Sequence, residues 1–300
     1  MINGIINVYK EKGFTSFDVV AVMRGIAGQR KVGHTGTLDP DAEGVLPVCL
    51  GNATKLCDML TDKRKEYVAQ FLLGKRTDTL DISGTVLEER VPTVSEDKLK
   101  ETILSFVGGY SQYPPMYSAK KVNGQKLVDM ARKGVSIERK PVFVDIYEIE
   151  ILKMEYPYVT IRVACGKGTY IRSLCEDIGA KCGELAVMTL LKRTRVNEFT
   201  VDDALTLKEL QNLKDAGKLL SIVKPTDSAF SEYKALRLDA SYRKLIDNGN
   251  KLPIEACQGK LSLEDGETVR VYNDAGCFVA LYKLKSSEGV LSPFKMFIGE

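Results

Sequence analysis

GHTGTLDPDAEGVLPV, residues 33–48, decides how this chain is to be read. It sets Asp39, Asp41 and Glu43 among Gly33, Gly36 and Gly44, and it holds His34, the only histidine. A loop of this kind suits a metal, a phosphate or one reactive acid. Calcium needs oxygen ligands early in its loop and a bidentate Glu at the twelfth position. Asp39, Asp41 and Glu43 match the beginning, but the twelfth position is Leu50, and an apolar strand pattern follows Gly44 where a helix should enter. A phosphate cradle fares no better. No G-x-x-x-x-G-K-[ST] run occurs, GKGT at Gly166 lacks the upstream glycine, and three carboxylates repel a nucleotide. His34 could act as a base toward a serine, but no G-x-S-x-G elbow presents one.

A single reactive carboxylate remains, weighed against a structured acidic turn with no chemistry. Asp39 precedes Pro40, which pushes its backbone toward the extended region. The glycines allow tight turns and close approach to a ligand. Leu38 and VLPV imply a partly dry neighbourhood, where a paired carboxylate can serve as nucleophile. Asp41 and Glu43 are expected to face solvent.

The bulk properties fit that picture without forcing it. The chain has 300 residues, 44% hydrophobic and 28% charged, as in an ordinary globular protein. That length suits one large domain with a small appendage. A net charge of +3 permits an acidic partner such as RNA. MINGIINVYKEKG is not expected to be a signal peptide, and no apolar run approaches a bilayer span, so a cytoplasmic protein without membrane contact is expected. Seven scattered cysteines, with no C-x-x-C, predict reduced thiols and no zinc site.

The periodicity predicts an opening strand at INGIINVYK and a helix from Ser16 with Val19, Val20, Met23 and Ile26 on its buried stripe. A strand at VLPVCL and a short helix at ATKLCDML follow the acidic loop. KEYVAQFLL alternates as a strand, with Tyr67, Ala69 and Phe71 on one face. GTVLEER is another strand, and SEDKLKETILSFVG a helix capped by Ser95 and closed by Gly108. VFVDIYEIEIL and YVTIRVACG are expected as antiparallel strands, TYIRSLCEDIGAKCG as a helix ending at Gly183, and RTRVNEF as a strand. Two short helices are expected between Leu205 and Phe230. Beyond Ser231 come one helix, ASYRKLIDNG, and short strands, including a hairpin turning at Asn273–Gly276. Strands mixed with helices, without regular βαβ alternation, point to α+β. The segment 117–140 stands apart: Lys120, Lys121, Lys126, Arg132, Lys133, Arg139 and Lys140 face only Asp129 and Glu138. It is either a solvated surface loop or a flap that touches phosphates.

GHTGTLDPDAEGVLPVCLGNATK resembles the catalytic motif of the TruB family, tRNA pseudouridine synthases that isomerise uridine 55 in the TΨC loop. KEYVAQFLLGKRTDTLDISG, PPMYSAKKVNGQKLVDMARKG, GKGTYIRSLCEDIG and LLKRTRVNEF match further family motifs in the same order, so the resemblance covers nearly the whole chain. It implies a pseudouridine synthase fold, with a mixed, largely antiparallel central sheet flanked by helices. The catalytic domain would span 1–230, with a basic RNA-clamping insertion at about 117–140. A looser likeness makes 231–300 a small, β-rich, PUA-like RNA-binding domain. The reaction moves uracil from N1 to C5 attachment on the same sugar, so no cofactor or metal is implied.

Site roles follow from the same resemblance. Asp39 stands at the catalytic aspartate. Whether it adds to the base or acts at C1′ stays open. Tyr67 matches the tyrosine that stacks on the flipped base and is a candidate for removing the C5 proton; on pattern alone it is an aromatic on a strand face. Arg172 matches the arginine that keeps the aspartate ionised and oriented, where a lone helix arginine is usually a solvated charge. Tyr170 and Leu191 match the uracil pocket. His34, otherwise a turn residue, is assigned to holding the displaced nucleotide out. Lys55, Lys63, Arg64, Lys120, Lys121, Lys126, Arg132, Lys192 and Arg193 are expected phosphate contacts. The implied partner is the tRNA T-arm, with the acceptor stem reached through the C-terminal domain and no obligatory protein partner. Rival readings are a guide-RNA-dependent member, against which the absence of extra N-terminal material and lysine-rich tails argues, an idle RNA chaperone, and a metal-dependent hydrolase.

Overall fold

The computed structural model describes residues 1–297 except 62, 123, 136 and 258–261. Its main feature is an eight-stranded sheet. Its path runs Gly4–Lys10, Glu43–Leu50, Ala186–Val196, Lys65–Leu73, Tyr158–Cys165, Ile146–Glu155, and Val32–His34 and Phe199–Thr200 pair alongside. All pairings are antiparallel except one, in which Lys192 and Arg193 lie beside Glu43 and Gly44. Gly44 is required there. A Cβ on it would stand 2.2 Å from the Arg193 carbonyl oxygen, and its φ is +107°.

The Ser16–Ala27 helix begins at Thr15, whose hydroxyl and the Asp18 carboxylate form a capping box, and ends at left-handed Gly28. Its stripe of Val19, Val20, Met23 and Ile26 packs on Val8, Leu46 and Val48 of the sheet, as the 3.6 periodicity predicts. A second cluster joins Tyr67, Ala69 and Phe71 to Leu174 and Ile178 of the Ile171–Lys181 helix and Leu99 and Ile103 of Glu96–Leu104. The alternation of KEYVAQFLL is therefore real, with odd-numbered positions inside.

Several boundaries differ from the sequence expectation. The Glu96–Leu104 helix closes at Ser105 and not at Gly108. The Ser105 hydroxyl donates to the Thr102 carbonyl (2.6 Å) and competes with helix propagation. VFVDIYEIEIL splits at Asp145: Val142–Val144 pairs with Tyr110–Gln112, and the long strand starts at Ile146. The strand expected at RTRVNEF is longer, Ala186–Val196, and its chain turns at Asn197 (φ 52°) into Phe199–Thr200. Register shifts at Met188/Leu190 and Arg193/Arg195 break the period-2 pattern and hide that strand in the sequence. ASYRKLIDNG forms a 3₁₀ turn followed by the short helix Arg243–Asp247.

The C-terminal segment builds its own five-stranded sheet, in the order Ala235–Arg237, Thr268–Tyr272, Phe278–Lys285, Val290–Met296, Leu252–Pro253. Its hairpin turns where expected: Asn273 N–H donates to Cys277 O at 2.9 Å. Leu236, Val271, Ala280 and Leu291 form a core of its own. Leu281 and Phe297 instead join Ile5, Val45, Phe199 and Phe230 in a cluster shared by the two sheets. All seven cysteines are free. Among the described residues, no helix is long and apolar enough to cross a membrane.

Candidate active site

The acidic loop lies between the Val32–His34 and Glu43–Leu50 strands, and its backbone is clamped along its length. Arg193 donates from Nε to Val45 O (2.7 Å) and from Nη2 to Gly36 O (3.2 Å). Lys10 donates to Pro40 O (3.1 Å) and Ala42 O (2.5 Å). Ser16 Oγ accepts from Leu38 N–H at 2.9 Å. Both cations are buried, Lys10 at 0% and Arg193 at 1% exposure. Burial pulls the Lys10 ammonium down to about 8, with Arg193 adding to the effect and Asp39 opposing it.

Asp39 emerges from this clamp against Arg172. Nε meets Oδ2 at 2.9 Å and Nη2 meets Oδ1 at 3.1 Å, a fork on both carboxylate oxygens. Arg172 follows Tyr170, the N-cap of the Ile171–Lys181 helix. Its remaining donors reach Thr79 O and Tyr117 O, both at 2.9 Å, and Asp81 Oδ2 lies 3.7 Å away. The side chain of Arg172 is 6% exposed and that of Asp39 37%. The guanidinium is thus fixed by protein, and the carboxylate keeps a face open. Burial raises the Asp39 carboxyl above its usual range, Arg172 opposes that shift, and Asp81 adds to it.

Arg172 also depends on a strained segment. Leu80 has φ 65° between Thr79 and Asp81, a conformation costing about 1–3 kcal/mol for a residue other than glycine. Hydrogen bonds from Met188 N to Leu80 O (3.2 Å) and Ile82 N to Met188 O (2.8 Å) hold it in place.

Asp39 opens on a cleft of about 330 Å³ lined by Tyr67, Tyr170, Leu191, Arg172, Arg193, Lys65 and Lys120. A second cleft of about 390 Å³ adjoins it and shares Asp39, Arg172 and Leu191; Asp81, Tyr117 and Arg132 line it further out. Tyr67 is 7% exposed, and Arg193 stands opposite it on the neighbouring strand. Burial raises the phenol and Arg193 opposes it, so the ring is uncharged at neutral pH. Tyr170 is pinned by Gln112, which accepts from its N–H (2.8 Å) and donates to its carbonyl (3.0 Å).

The structure therefore brings Asp39, Tyr67, Tyr170, Arg172 and Leu191 to one cleft. His34 does not line it. Its Nδ1 accepts from Gly36 N–H at 3.2 Å and its ring packs edge-on against Phe17, while burial, then Arg193, lowers its pKa. Asp39, Asp41 and Glu43 do not converge: Asp41 is exposed, and Glu43, expected in solvent, is half-buried beside the Tyr9 hydroxyl.

The expected phosphate contacts divide. Lys120 lines the first cleft and Arg132 the second, and Lys121 and Lys126 stand exposed on a two-stranded ribbon. Arg193 is corrected from a surface cation to a buried clamp, because it fills the gap between the loop and Tyr67. Lys55 donates to Met296 O (3.0 Å) and Lys63 pairs with Glu232 (2.6 Å), so both tie the C-terminal segment down. Arg64 pairs with Glu148 at 3.7 Å over the Tyr147 ring, and Lys192 lies over Tyr9.

Sequence reasoning missed Lys10, Asp81 and Gln112. Lys10 had a signal: with Ile6 and Val8 it shares one face of a strand whose partners are apolar. Asp81 lies in the family-like stretch KRTDTLDISG, but its spacing alone assigned it no role, and Gln112 sits in a loop-like run with no signal.

Residues 24–171 match the description "TruB family pseudouridylate synthase (N terminal domain)", and 172–231 match "tRNA pseudouridylate synthase B C-terminal domain". The tRNA pseudouridine synthase B of Lachnoclostridium phytofermentans is 47% identical, over 99% of this chain and 100% of its own. That of Clostridium tetani is 43% identical, over 91% of this chain and 92% of its own. Among solved structures, one of an H/ACA ribonucleoprotein bound to a substrate RNA containing 2′-deoxyuridine aligns with TM-score 0.76 at 28% identity, covering 99% of this chain and 85% of that one.

Sheet, helices and cleft together are those of a pseudouridine synthase, an enzyme of the isomerase class. Within that class, the chain belongs to the TruB family.

Proposed function

We propose that this chain converts uridine 55 of the tRNA T-loop to pseudouridine, working alone on an everted base in the cytoplasm. The single observation that carries the reading is the Asp39–Arg172 fork: one carboxylate, held from behind and open in front, facing a cleft between a tyrosine ring and Leu191. The names of the relatives support tRNA as the substrate.

The reaction breaks N1–C1′, forms C5–C1′, and moves the C5 proton to N1, so atoms balance without a co-reactant. Asp39 bonds transiently to the substrate and leaves again, and Arg172 keeps it ionised and aimed. The Tyr67 ring stacks on the uracil. To take the C5 proton, Tyr67 must first give up its own phenolic proton, a loss that the neighbouring Arg193 cation favours against burial; the C5 proton then restores the phenol, and the proton released first supplies N1. Tyr170 and Leu191 wall the pocket. Residues 1–230 act as the catalytic domain, 117–140 closes over the T-loop with Lys120, Lys121, Lys126 and Arg132 on phosphates, and 231–300 grips the acceptor stem as a PUA-like module.

A T-arm transcript treated with purified protein, without guide RNA or partner, should gain pseudouridine at position 55. An unmodified transcript would overturn this reading, and modification only when a guide RNA is added would replace it with the particle-bound type. An Asp39→Asn variant that binds RNA but does not turn over separates the enzyme from an RNA chaperone.

A further inference from the structure

We propose that Phe17, braced by His34, is a stacking platform for an unpaired RNA base beside the everted uridine, and so positions the substrate at Asp39. This rests on the RNA-isomerase reading above. Phe17 is 74% exposed, the most exposed aromatic ring among the described residues. A lone exposed apolar side chain needs no explanation, but the place of this one does.

Phe17 lies off the buried stripe of the Ser16–Ala27 helix, and among the described residues the ring it meets is that of His34. The two rings meet at 5.7 Å with an 82° interplanar angle, which leaves aromatic surface of Phe17 in solvent. Both rings are anchored to the cleft's lip. Ser16, one residue before Phe17, takes a 2.9 Å bond from Leu38 N–H, and His34 takes one from Gly36 N–H at 3.2 Å. Gly36, Thr37 and Leu38 line the cleft that Asp39 opens on.

The local charge suits a nucleic acid. Asp18, the acidic neighbour, is turned to Thr15 N–H (2.8 Å) and hydroxyl (2.7 Å) in the capping box. Lys12 and Arg24 lie exposed on the same segment. Every base offers a π face, so stacking suits a loop nucleotide whose pairing edge is unused.

The test measures KM and kcat on a T-arm hairpin, and the Kd of the same hairpin in the Asp39→Asn background. Phe17→Ala should raise KM and Kd on the order of tenfold, with kcat at saturation held within about twofold. Phe17→Tyr and Phe17→Trp should restore binding, whereas Phe17→Leu, apolar without a π face, should not. A 2-aminopurine next to the target uridine should be quenched by wild type and not by Phe17→Leu. Unchanged KM and Kd in Phe17→Ala, or a Leu variant equal to wild type, overturns the platform. Phe17-dependent binding with no pseudouridine formed sinks the proposed function and spares the platform. No binding by wild type overturns both.

Discussion

The floor of the cleft and its roof are built on opposite terms. On the floor, Arg172 and Arg193 are buried, and their donors end on backbone carbonyls and Asp39. On the roof, Lys121, Lys126 and Arg132 point to water from a two-stranded ribbon and a five-residue helix. The floor is finished in the free protein; on the proposed function, the roof is completed by the RNA. Chemistry gains from groups that need not reorganise, and recognition of a phosphate backbone gains from solvated cations that release counterions on contact.

Substitutions on the two sides should separate cleanly. Asp39→Asn is expected to lower kcat by roughly a thousandfold or more, with RNA affinity kept, in single-turnover pseudouridine mapping. Because burial already disfavours its charge, the variant should melt within a few degrees of wild type, and the acid limb of wild-type activity should lie above pH 3.8. Next comes Arg172→Lys. It loses the two-pronged grip and the Thr79 and Tyr117 bonds, so kcat should fall roughly a hundredfold, with stability in urea lower by about 3 kcal/mol.

Lys10 tests whether the clamp under the loop matters. Its folded value of about 8 is below the ordinary 10.5, so the native state sheds this proton before the unfolded chain does. Its own contribution to stability therefore rises between those values, while the charge-assisted bonds to Pro40 and Ala42 weaken. Activity should decline through pH ~8 without unfolding, and Lys10→Met should lack that limb on a lower plateau. The smallest effect belongs to the roof. Lys121→Ala with Lys126→Ala should raise KM severalfold, leave kcat alone, and flatten the log–log salt slope by about 1.5. A kcat loss there would break the division between floor and roof.

Much of this was legible in the residues. Asp-Pro among glycines made Asp39 a candidate acid, with an idle acidic turn as the other reading, and strict alternation picked out the face that carries Tyr67. Arg172, Tyr170 and Leu191 needed the family motifs, because their meaning lies in contacts across 133 residues, as between Asp39 and Arg172. Arg193 was misjudged because a register shift beside it turns an apparent surface position inward. Lys10 was overlooked because a lysine at a strand's end usually reaches water, and here three carbonyls receive it first. Periodicity reports which face a residue occupies. It does not report what waits on that face.

Leu281 and Phe297 lie in one cluster with Ile5 and Val45, so the second sheet is mortised into the first. Anything gripped by that sheet is then gauged against Asp39 by a joint of packed hydrocarbon, which works as a fixed ruler where a tether would let the span vary. If the proposed grip on a stem holds, an RNA stem of the wrong length would meet one end of that ruler and miss the other.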